Sequence, residues 1–350
     1  MKNLSKRQKA ILDFINIKKE ISTTEILTFI KQTFEGEISR ITILRDIEVL
    51  LKCTLIKKQG NARSIKYIPL YTSKLLEIFD IDAYFKVDFD NRTIKNEGFD
   101  FEIFKNLSNL FPEYELSNIE LLNNKFKNNF YKMSNTLLKK ELERLTIEFS
   151  WKSSQIEGNT YSLLDTERLI KDNVEAAGHK KEEAVMILNH KKTLDYIFQD
   201  KNYYKEITLS KIEDIHRLLI ENLDATYGLR NTPVGITGTN YRPLDNKYQI
   251  NEAMEQLINI INNTINPFEK ALISVLMISY IQPFEDGNKR TSRILGNAIL
   301  LAHDYCPLSY RSVDEVEYKK AIILFYEQNS ISYFKHLFVE QFKQAVEKYF

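Results

Sequence analysis

The spacing of apolar residues constrains the fold of this chain most strongly. Apolar residues recur every three to four positions in stretches such as "ERLIKDNVEAAGH" and "YKKAIILFYEQ", and this is the period of an α-helix that buries one face. The chain has only 10 Gly and 7 Pro among 350 residues, so few positions favour a break between helices. The sequence therefore predicts a mainly α fold with room for two or three domains.

Three features bear on cellular location. The charged N-terminus, "MKNLSKRQK", passes directly into an amphipathic pattern, which is not the pattern of a signal peptide. The longest apolar run, "ALISVLMISYI", is too short to span a bilayer and is predicted to be a buried core helix. The only two cysteines, Cys53 and Cys306, show neither metal-ligand spacing nor a disulfide framework. We therefore expect a cytoplasmic protein.

The first 70 residues form a basic module, because residues 1–67 contain 14 Lys/Arg against 7 Asp/Glu. Helices are predicted at 5–17, from "STTEILTFI", and from Ser39 through "RITILRDIEVLLK"; "LIKKQGNARSIKYIP" predicts a basic hairpin with a Gly-Asn turn. Three short helices followed by a basic hairpin resemble a winged helix-turn-helix domain. That resemblance implies DNA binding, with major-groove and phosphate contacts from Arg40, Thr42, Arg45, Lys57, Lys58, Arg63 and Lys66.

The alternative for this module is a protein-interaction or dimerisation domain whose charges form a solvated face. After it, residues 71–145 have the polarity of a connector that leads into the first helices of the body, and residues 118–158 are predicted to be helical. Further on, "RNTPVGITGTNYRPL" predicts a β-hairpin between Pro233 and Pro243. It either covers apolar surface or offers an edge on which an extended peptide can be laid.

The segment "IQPFEDGNKRTSR", residues 281–293, has the parts of an anion-binding loop. An apolar helix ends at about Ile281, Gly287 allows a backbone conformation that other residues resist, and a new helix then begins. The free N–H groups and the positive end of that helix attract phosphate, and Arg290 and Arg293 lie on its first turn. Asp286 suits Mg²⁺ held between a carboxylate and phosphates. A nucleoside triphosphate fits these parts.

The whole string resembles the signature of the Fic (Fic/DOC) family, His-x-Phe-x-(Asp/Glu)-Gly-Asn-(Gly/Lys)-Arg-x-x-Arg. It matches at Phe284, Asp286, Gly287, Asn288, Lys289, Arg290 and Arg293. Upstream, "SSQIEG" resembles the family's inhibitory motif through Ser153, Glu157 and Gly158, and the 233–243 segment resembles its target-clamping flap, with candidate contacts at Ile236, Thr237, Gly238, Thr239 and Tyr241.

The resemblance implies a helical Fic core with a β-hairpin flap, attached to a small winged-helix (α+β) domain. The implied domains are 1–70, 71–145, an inhibitory helix at 146–160 and a core at 161–350. The implied activity is transfer of AMP from ATP, with Mg²⁺, to a hydroxyl of an unidentified target protein. Glu157 is expected to pair with Arg293 and inhibit the transfer. Family members often dimerise, so a homodimer is a further expectation.

Two positions depart from the pattern of AMP-transferring members. Gln282 replaces the motif His that serves as the base, and an amide does not accept a proton near pH 7. We therefore predict that the chain binds ATP but transfers AMP slowly or not at all. Either the Gln was introduced, or the chain is a natural nucleotide-sensing pseudoenzyme that regulates through DNA. Lys289 occurs in Doc-type kinases, so phosphoryl transfer is an alternative. Among the five His residues, His216 is expected to be a packing residue.

Overall fold

The computed structural model of the chain describes residues 4–34, 36, 38–53, 55–61, 64–70, 74–95 and 97–349. Its N-terminal unit contains α1 Lys6–Lys18, β1 Ile21–Ser22, α2 Thr23–Thr33, α3 Arg40–Lys52, β2 Ile56–Gln59 and β3 Lys66–Pro69. A connector follows with α4 Ile81–Lys86 and short 3-10 turns at Lys74–Leu76, Phe89–Asn91 and Phe101–Asn106. The body contains α5 Glu113–Phe130, α6 Asn135–Ile156, α7 Leu163–Asp172, α8 Lys181–Gln199, α9 Leu209–Ile220, α10 Lys247–Asn263, α11 Pro267–Ile281, α12 Asn288–Ala302, α13 Glu315–Gln328 and α14 Ser332–Lys348.

The N-terminal unit has its own apolar core and its own sheet. The predicted helix α3 begins at its expected cap, because Ser39 accepts a hydrogen bond from the Thr42 amide, and it buries Ile43 and Ile47. The predicted hairpin of β2 and β3 is confirmed, and the two-residue strand β1 adds to it in the antiparallel order β1-β3-β2. The hairpin turn requires glycine at Gly60, where φ is +82° and an added Cβ would lie 2.6 Å from the Ser64 carbonyl oxygen.

The core of the body is built around α11. Every residue of this helix from Phe268 to Ile281 is buried, which confirms the predicted core helix. The antiparallel partner α12 packs closely against it at Gly296, where an added Cβ would lie 2.7 Å from Cγ2 of Val275. This close packing fixes the turn between the two helices, which is the loop singled out in the sequence.

Two predicted elements differ in the structure. The helix expected through residues 118–158 is two helices, because Ser134 caps a new helix by accepting a hydrogen bond from the Leu137 amide at 3.3 Å. The flap hairpin has a turn at Thr237–Gly238 but no strand pairing between its arms. The reason is that the second arm pairs elsewhere: Arg242 forms a parallel bridge with Gly98 of the connector.

Candidate nucleotide site

The candidate site lies at the turn between α11 and α12, and Gln282 is its first residue. The backbone of Gln282 takes the left-handed conformation (φ 51°, ψ 59°) that ends α11, a conformation in which Gly or Asn is usual. Its side chain is buried, with Nε2 donating to the Ser279 carbonyl at 2.7 Å and Oε1 accepting from Asn288 Nδ2 at 3.0 Å. Both ends of the amide are therefore engaged within the turn itself.

Asn288 holds the turn closed. Its Oδ1 accepts the Phe284 amide at 2.8 Å, and its Nδ2 donates to the Phe284 carbonyl at 2.7 Å. The side chain predicted to bind nucleotide is thus used to shape the loop. Gly287 precedes it at φ 78° as the N-cap of α12, and no side chain caps that helix end. The first N–H groups of α12 are left available to an anion.

Asp286 and Arg290 form an ion pair in which the carboxylate is exposed and the guanidinium is buried. The Asp286 side chain is 64% exposed, whereas the Arg290 side chain is 2% exposed, and Oδ2 lies 2.5 Å from Nη2. Arg290 Nη1 also donates to the Leu219 carbonyl at 3.4 Å. Arg290 therefore neutralises Asp286 and braces the loop on α9 in this state of the chain, while the Asp286 carboxylate remains open to solvent.

Arg293 is fully buried, and it contacts the candidate inhibitory motif. Its Nη2 donates to Glu157 Oε1 at 2.8 Å and to the Ser153 carbonyl at 2.9 Å, and its Nε donates to Ser153 Oγ at 3.0 Å. Within the described residues, Nη1 of Arg293 has no hydrogen-bond partner. The structure thus brings together residues 136 positions apart in the sequence, as the resemblance implied. Gly158 follows directly in the left-handed conformation at φ 96°.

Lys289 reaches the same carboxylate from the other side. Its Nζ lies 3.7 Å from Glu157 Oε2, and its side chain is 31% exposed. Burial acts to raise the pKa of Glu157, but the charges of Arg293 and Lys289 outweigh burial and lower this pKa below its ordinary value. Glu157 is therefore ionised at neutral pH and occupies the position between two cations that could otherwise bind phosphate.

His216 lies against the loop, which the sequence did not reveal. Its ring stacks on Phe284 with centroids 3.7 Å apart, and Nε2 donates to the Asp286 carbonyl at 3.0 Å. Burial is the main cause that lowers the pKa of His216 to about 4, so the ring is neutral at pH 7. The apolar pattern of α9 predicted burial of this histidine, but only the fold shows that the loop is its neighbour.

The flap segment is divided between core and surface. Tyr241 is buried, stacks on Tyr280 at 4.7 Å and donates its hydroxyl to the Tyr280 carbonyl at 2.8 Å. Tyr241 therefore anchors the flap instead of facing a target. Thr239 is also buried, Ile236 and Gly238 are half-buried, and Thr237 is exposed at the tip.

The connector fastens the second arm of the flap. Arg92 Nη2 donates to the Gly238 carbonyl at 2.6 Å, the Arg242 amide donates to the Glu97 carbonyl at 2.8 Å, and Asn240 Nδ2 donates to the Phe89 carbonyl at 3.2 Å. The first arm, residues 233–237, makes no backbone hydrogen bond with any described residue. The first arm therefore has a backbone edge with which no described residue pairs.

Part of the sequence matches a known protein family. Residues 206–300 match the Fic/DOC family. The resemblance seen in the loop sequence is therefore confirmed, and the match includes α9, the flap, α11 and most of α12.

Named relatives support the same conclusion. The chain is 27% identical over 185 residues to a protein adenylyltransferase Fic of Nematostella vectensis, a match that covers 52% of this chain and 43% of the relative. It is 30% identical over 181 residues to the protein of the same name in Aedes aegypti, covering 50% of this chain and 36% of the relative. The chain thus matches less than half the length of these relatives.

Solved structures show the Fic fold. Fic-1 from C. elegans superimposes with a TM-score of 0.57 at 19% identity, covering 67% of this chain and 70% of that one. A Fic domain containing signaling protein from Bacteroides thetaiotaomicron gives a TM-score of 0.56 at 20% identity, covering 66% and 94%. The mainly helical fold expected from the sequence is therefore confirmed for the Fic/DOC part of the chain.

The candidate DNA-binding residues lie outside the Fic/DOC match. Arg40 and Arg45 are exposed on α3, and Thr42 is half-buried near its N-terminus. Arg63 lies outside the described residues. Between the arginines, Ile41 is 63% and Leu44 is 41% exposed, so this face of α3 is mixed apolar and basic. Among the described helices, none is both long and apolar enough to cross a membrane.

Proposed function

We propose that the body of this chain is an adenylyl-transfer domain that binds ATP at residues 282–293 and is closed by Glu157. In the proposed reaction, a hydroxyl oxygen of a target protein attacks the α-phosphorus of ATP and forms a new P–O bond. The α,β-phosphoanhydride bond breaks, pyrophosphate leaves, and the hydroxyl proton passes to a base. The names of the relatives and the Fic/DOC match support this assignment.

The contact that carries the proposal is the 2.8 Å ion pair between Arg293 and Glu157. An arginine with no solvent exposure, placed on the second turn of α12, is costly to maintain without an anionic partner. Glu157 supplies that partner in this structure, and a nucleotide phosphate would replace it during function. Lys289 and the N–H groups of α12 would bind the same phosphates.

A magnesium ion fits the exposed carboxylate of Asp286. The described residues contain no group of three His, Cys, Asp or Glu side chains that could hold a metal ion. Mg²⁺ commonly needs only one or two carboxylates when substrate phosphates complete its coordination shell. The Asp286 carboxylate lies within the loop and faces solvent. When bound, the ion would neutralise charge on the phosphates. Asp286 would first have to give up part of its pairing with Arg290.

In this proposal the chain is a weak catalyst because residue 282 is Gln. Its amide is held by Ser279 and Asn288 and has no group that accepts a proton near pH 7. In the Glu157→Gly background, we expect Gln282→His to raise transfer of label from [α-³²P]ATP by ~10²–10⁴-fold, the usual contribution of a positioned base. Gln282→Asn, which keeps an amide, is the matched control and should remain slow. Equal rates for the His and Asn variants would contradict the proposal.

The same assay with [γ-³²P]ATP tests the phosphoryl-transfer alternative raised by Lys289. Adenylyl transfer places only the α label on protein, whereas a Doc-like phosphotransferase places only the γ label there. We expect the α label alone. The proposal also includes an unidentified target protein, a cytoplasmic location and homodimer formation. Among the described residues Cys53 and Cys306 form no disulfide, which is compatible with a reducing compartment.

A second proposal concerns the N-terminal unit, which we propose to be a winged-helix domain that binds DNA. It is supported by Arg40 and Arg45 on α3 and by Lys57 and Lys58 on β2, all of them exposed. Phosphate contacts release counterions, so the affinity of the chain for duplex DNA should fall steeply between 50 and 200 mM salt. Arg40→Ala/Arg45→Ala should weaken it further, with Lys171→Ala in the body as control. Failure to bind at 50 mM salt would favour the interaction-module alternative.

A further inference from the structure

His190 is a buried histidine with no role in the proposed reaction, and it lies next to the inhibitory motif. It belongs to α8 and has no solvent exposure. Its Nδ1 lies 2.8 Å from the Met186 carbonyl and 3.4 Å from Ser154 Oγ, while its Nε2 lies 2.9 Å from Ser153 Oγ. Each ring nitrogen thus has a definite neighbour.

The neighbours of His190 determine which of its ring nitrogens carries a proton and where the Ser153 hydroxyl proton points. A carbonyl only accepts hydrogen bonds, so Nδ1 of His190 carries the proton that points to Met186. Burial is the main cause that lowers the pKa of His190 to about 3, so the ring is neutral and Nε2 is an acceptor. Ser153 must then donate its hydroxyl proton to Nε2. Its oxygen lone pairs are left to accept Nε–H of Arg293 at 3.0 Å.

These contacts form a continuous chain of hydrogen bonds from α8 to α12. We propose that His190 is a positioning residue that, through Ser153, holds Arg293 in the orientation that binds nucleotide phosphate, whether or not Glu157 is in place. This inference rests on the proposed function. Glu157 engages only Nη2, whereas the relay engages Nε. Release of Glu157 therefore removes the competing anion and leaves the guanidinium oriented, with Nη1 unpartnered among the described residues.

ATP binding tests the relay without any need for catalysis. Titration calorimetry with ATP and Mg²⁺ on the full chain carrying Glu157→Gly provides the reference affinity. We expect Ser153→Ala to weaken it by about tenfold and His190→Phe by about fivefold, as for a hydrogen bond to a charged group. The double variant should be no weaker than Ser153→Ala, since both changes break one relay. His190→Gln, which keeps one donor and one acceptor, should stay within about twofold of the reference.

Controls separate positioning from general destabilisation. His303→Phe, at the far end of α12, should leave ATP affinity unchanged, and thermal melting identifies any variant that fails to fold. Unchanged affinity in His190→Phe, or additive losses in the double variant, would overturn the inference. Absence of ATP binding by the Glu157→Gly reference itself would instead refute the proposed function.

A second measurement decides the relay independently of ATP. In ¹⁵N NMR of the histidine-labelled chain, His190 should show a protonated Nδ1 and an unprotonated Nε2. The Nε2 resonance should shift in Ser153→Ala, because its hydrogen-bond donor is lost. The opposite tautomer, or an Nε2 resonance that does not shift in Ser153→Ala, would contradict the relay even if no nucleotide binds.

Discussion

At the scale of single residues, the proposed function is a competition between Glu157 and nucleotide phosphate for Arg293. The guanidinium has no exposure, and Glu157 keeps 18% of its side-chain surface exposed. Loss of the anion from a buried arginine strongly destabilises the folded state, whereas an ion pair between two exposed side chains contributes little to stability. The inhibitory contact is therefore expected to stabilise the folded chain as well as to block phosphate, and the two effects can be measured separately.

The pH dependence of stability tests this ion pair. The pKa of Glu157 is lowered in the folded chain, so its contribution is present at neutral pH and is lost as pH falls through the folded-state value, below 4.5. We expect Glu157→Gln to cost about 2–3 kcal/mol in urea unfolding at pH 7, with the difference shrinking towards pH 3.5. Glu167→Gln, in the exposed pair with Lys171, should cost under about 0.5 kcal/mol. A difference that does not change with pH would contradict the assignment.

Residues of the loop were predictable from sequence, but their partners were only partly so. The order of Asp286, Gly287 and Asn288 indicates an anion site because each residue type has a local backbone consequence. His190 and His216 gave no such indication, since each contacts a neighbour that is distant in the sequence. The buried position of Arg290 and the use of Asn288 within the turn likewise follow from tertiary packing.

At the scale of elements, the connector and the flap behave as one unit. Arg92 is 4% exposed and reaches both the Gly238 carbonyl at 2.6 Å and the fully buried Glu327 at 3.4 Å. The predicted β-hairpin did not form because its second arm bonds to this connector. Sequence periodicity identifies an arm and a turn but not which strand the arm will pair with.

The element-scale prediction is that Arg92 keeps the flap ordered. Arg92→Ala removes the buried partner of Glu327 and the donor to Gly238, so we expect a loss of about 3–5 kcal/mol. Amide hydrogen exchange should become faster at 238–242, while exchange in α11 follows only the global loss. Arg92→Lys keeps the charge and should show a smaller effect. Unchanged exchange at the flap in Arg92→Ala would show that the connector does not hold it.

At the scale of the whole molecule, the described residues of the N-terminal unit bury an apolar cluster that is separate from the large core of the body. The buried residues of the N-terminal unit cluster around Ile11, Ile30 and Ile47, apart from the core built on α11. Lys19 links the N-terminal unit to the connector, with Nζ 2.8 Å from Glu77 and 3.0 Å from the Ile78 carbonyl. The sequence predicted the separate units through their charge and helix patterns. It did not predict this bridge, because long-range charge pairs leave no periodic pattern.

In the proposed function, Glu157 must withdraw before the body can hold the ATP phosphates against Arg293 in the productive position. Glu157 caps the C-terminus of α6 and Arg293 lies on α12, and both helices pack into the same core. Movement of the inhibitory motif is thus expected to be local, at the last turn of α6, where Gly158 follows in the left-handed conformation.

The most direct test compares two chains that both carry Gln282→His, one with Glu157 and one with Glu157→Gly. The measurement is the initial rate of protein labelling from [α-³²P]ATP with Mg²⁺ under identical conditions. We expect loss of Glu157 to raise this rate by about tenfold or more, because Arg293 becomes free to bind phosphate. Equal rates in the two chains would contradict it.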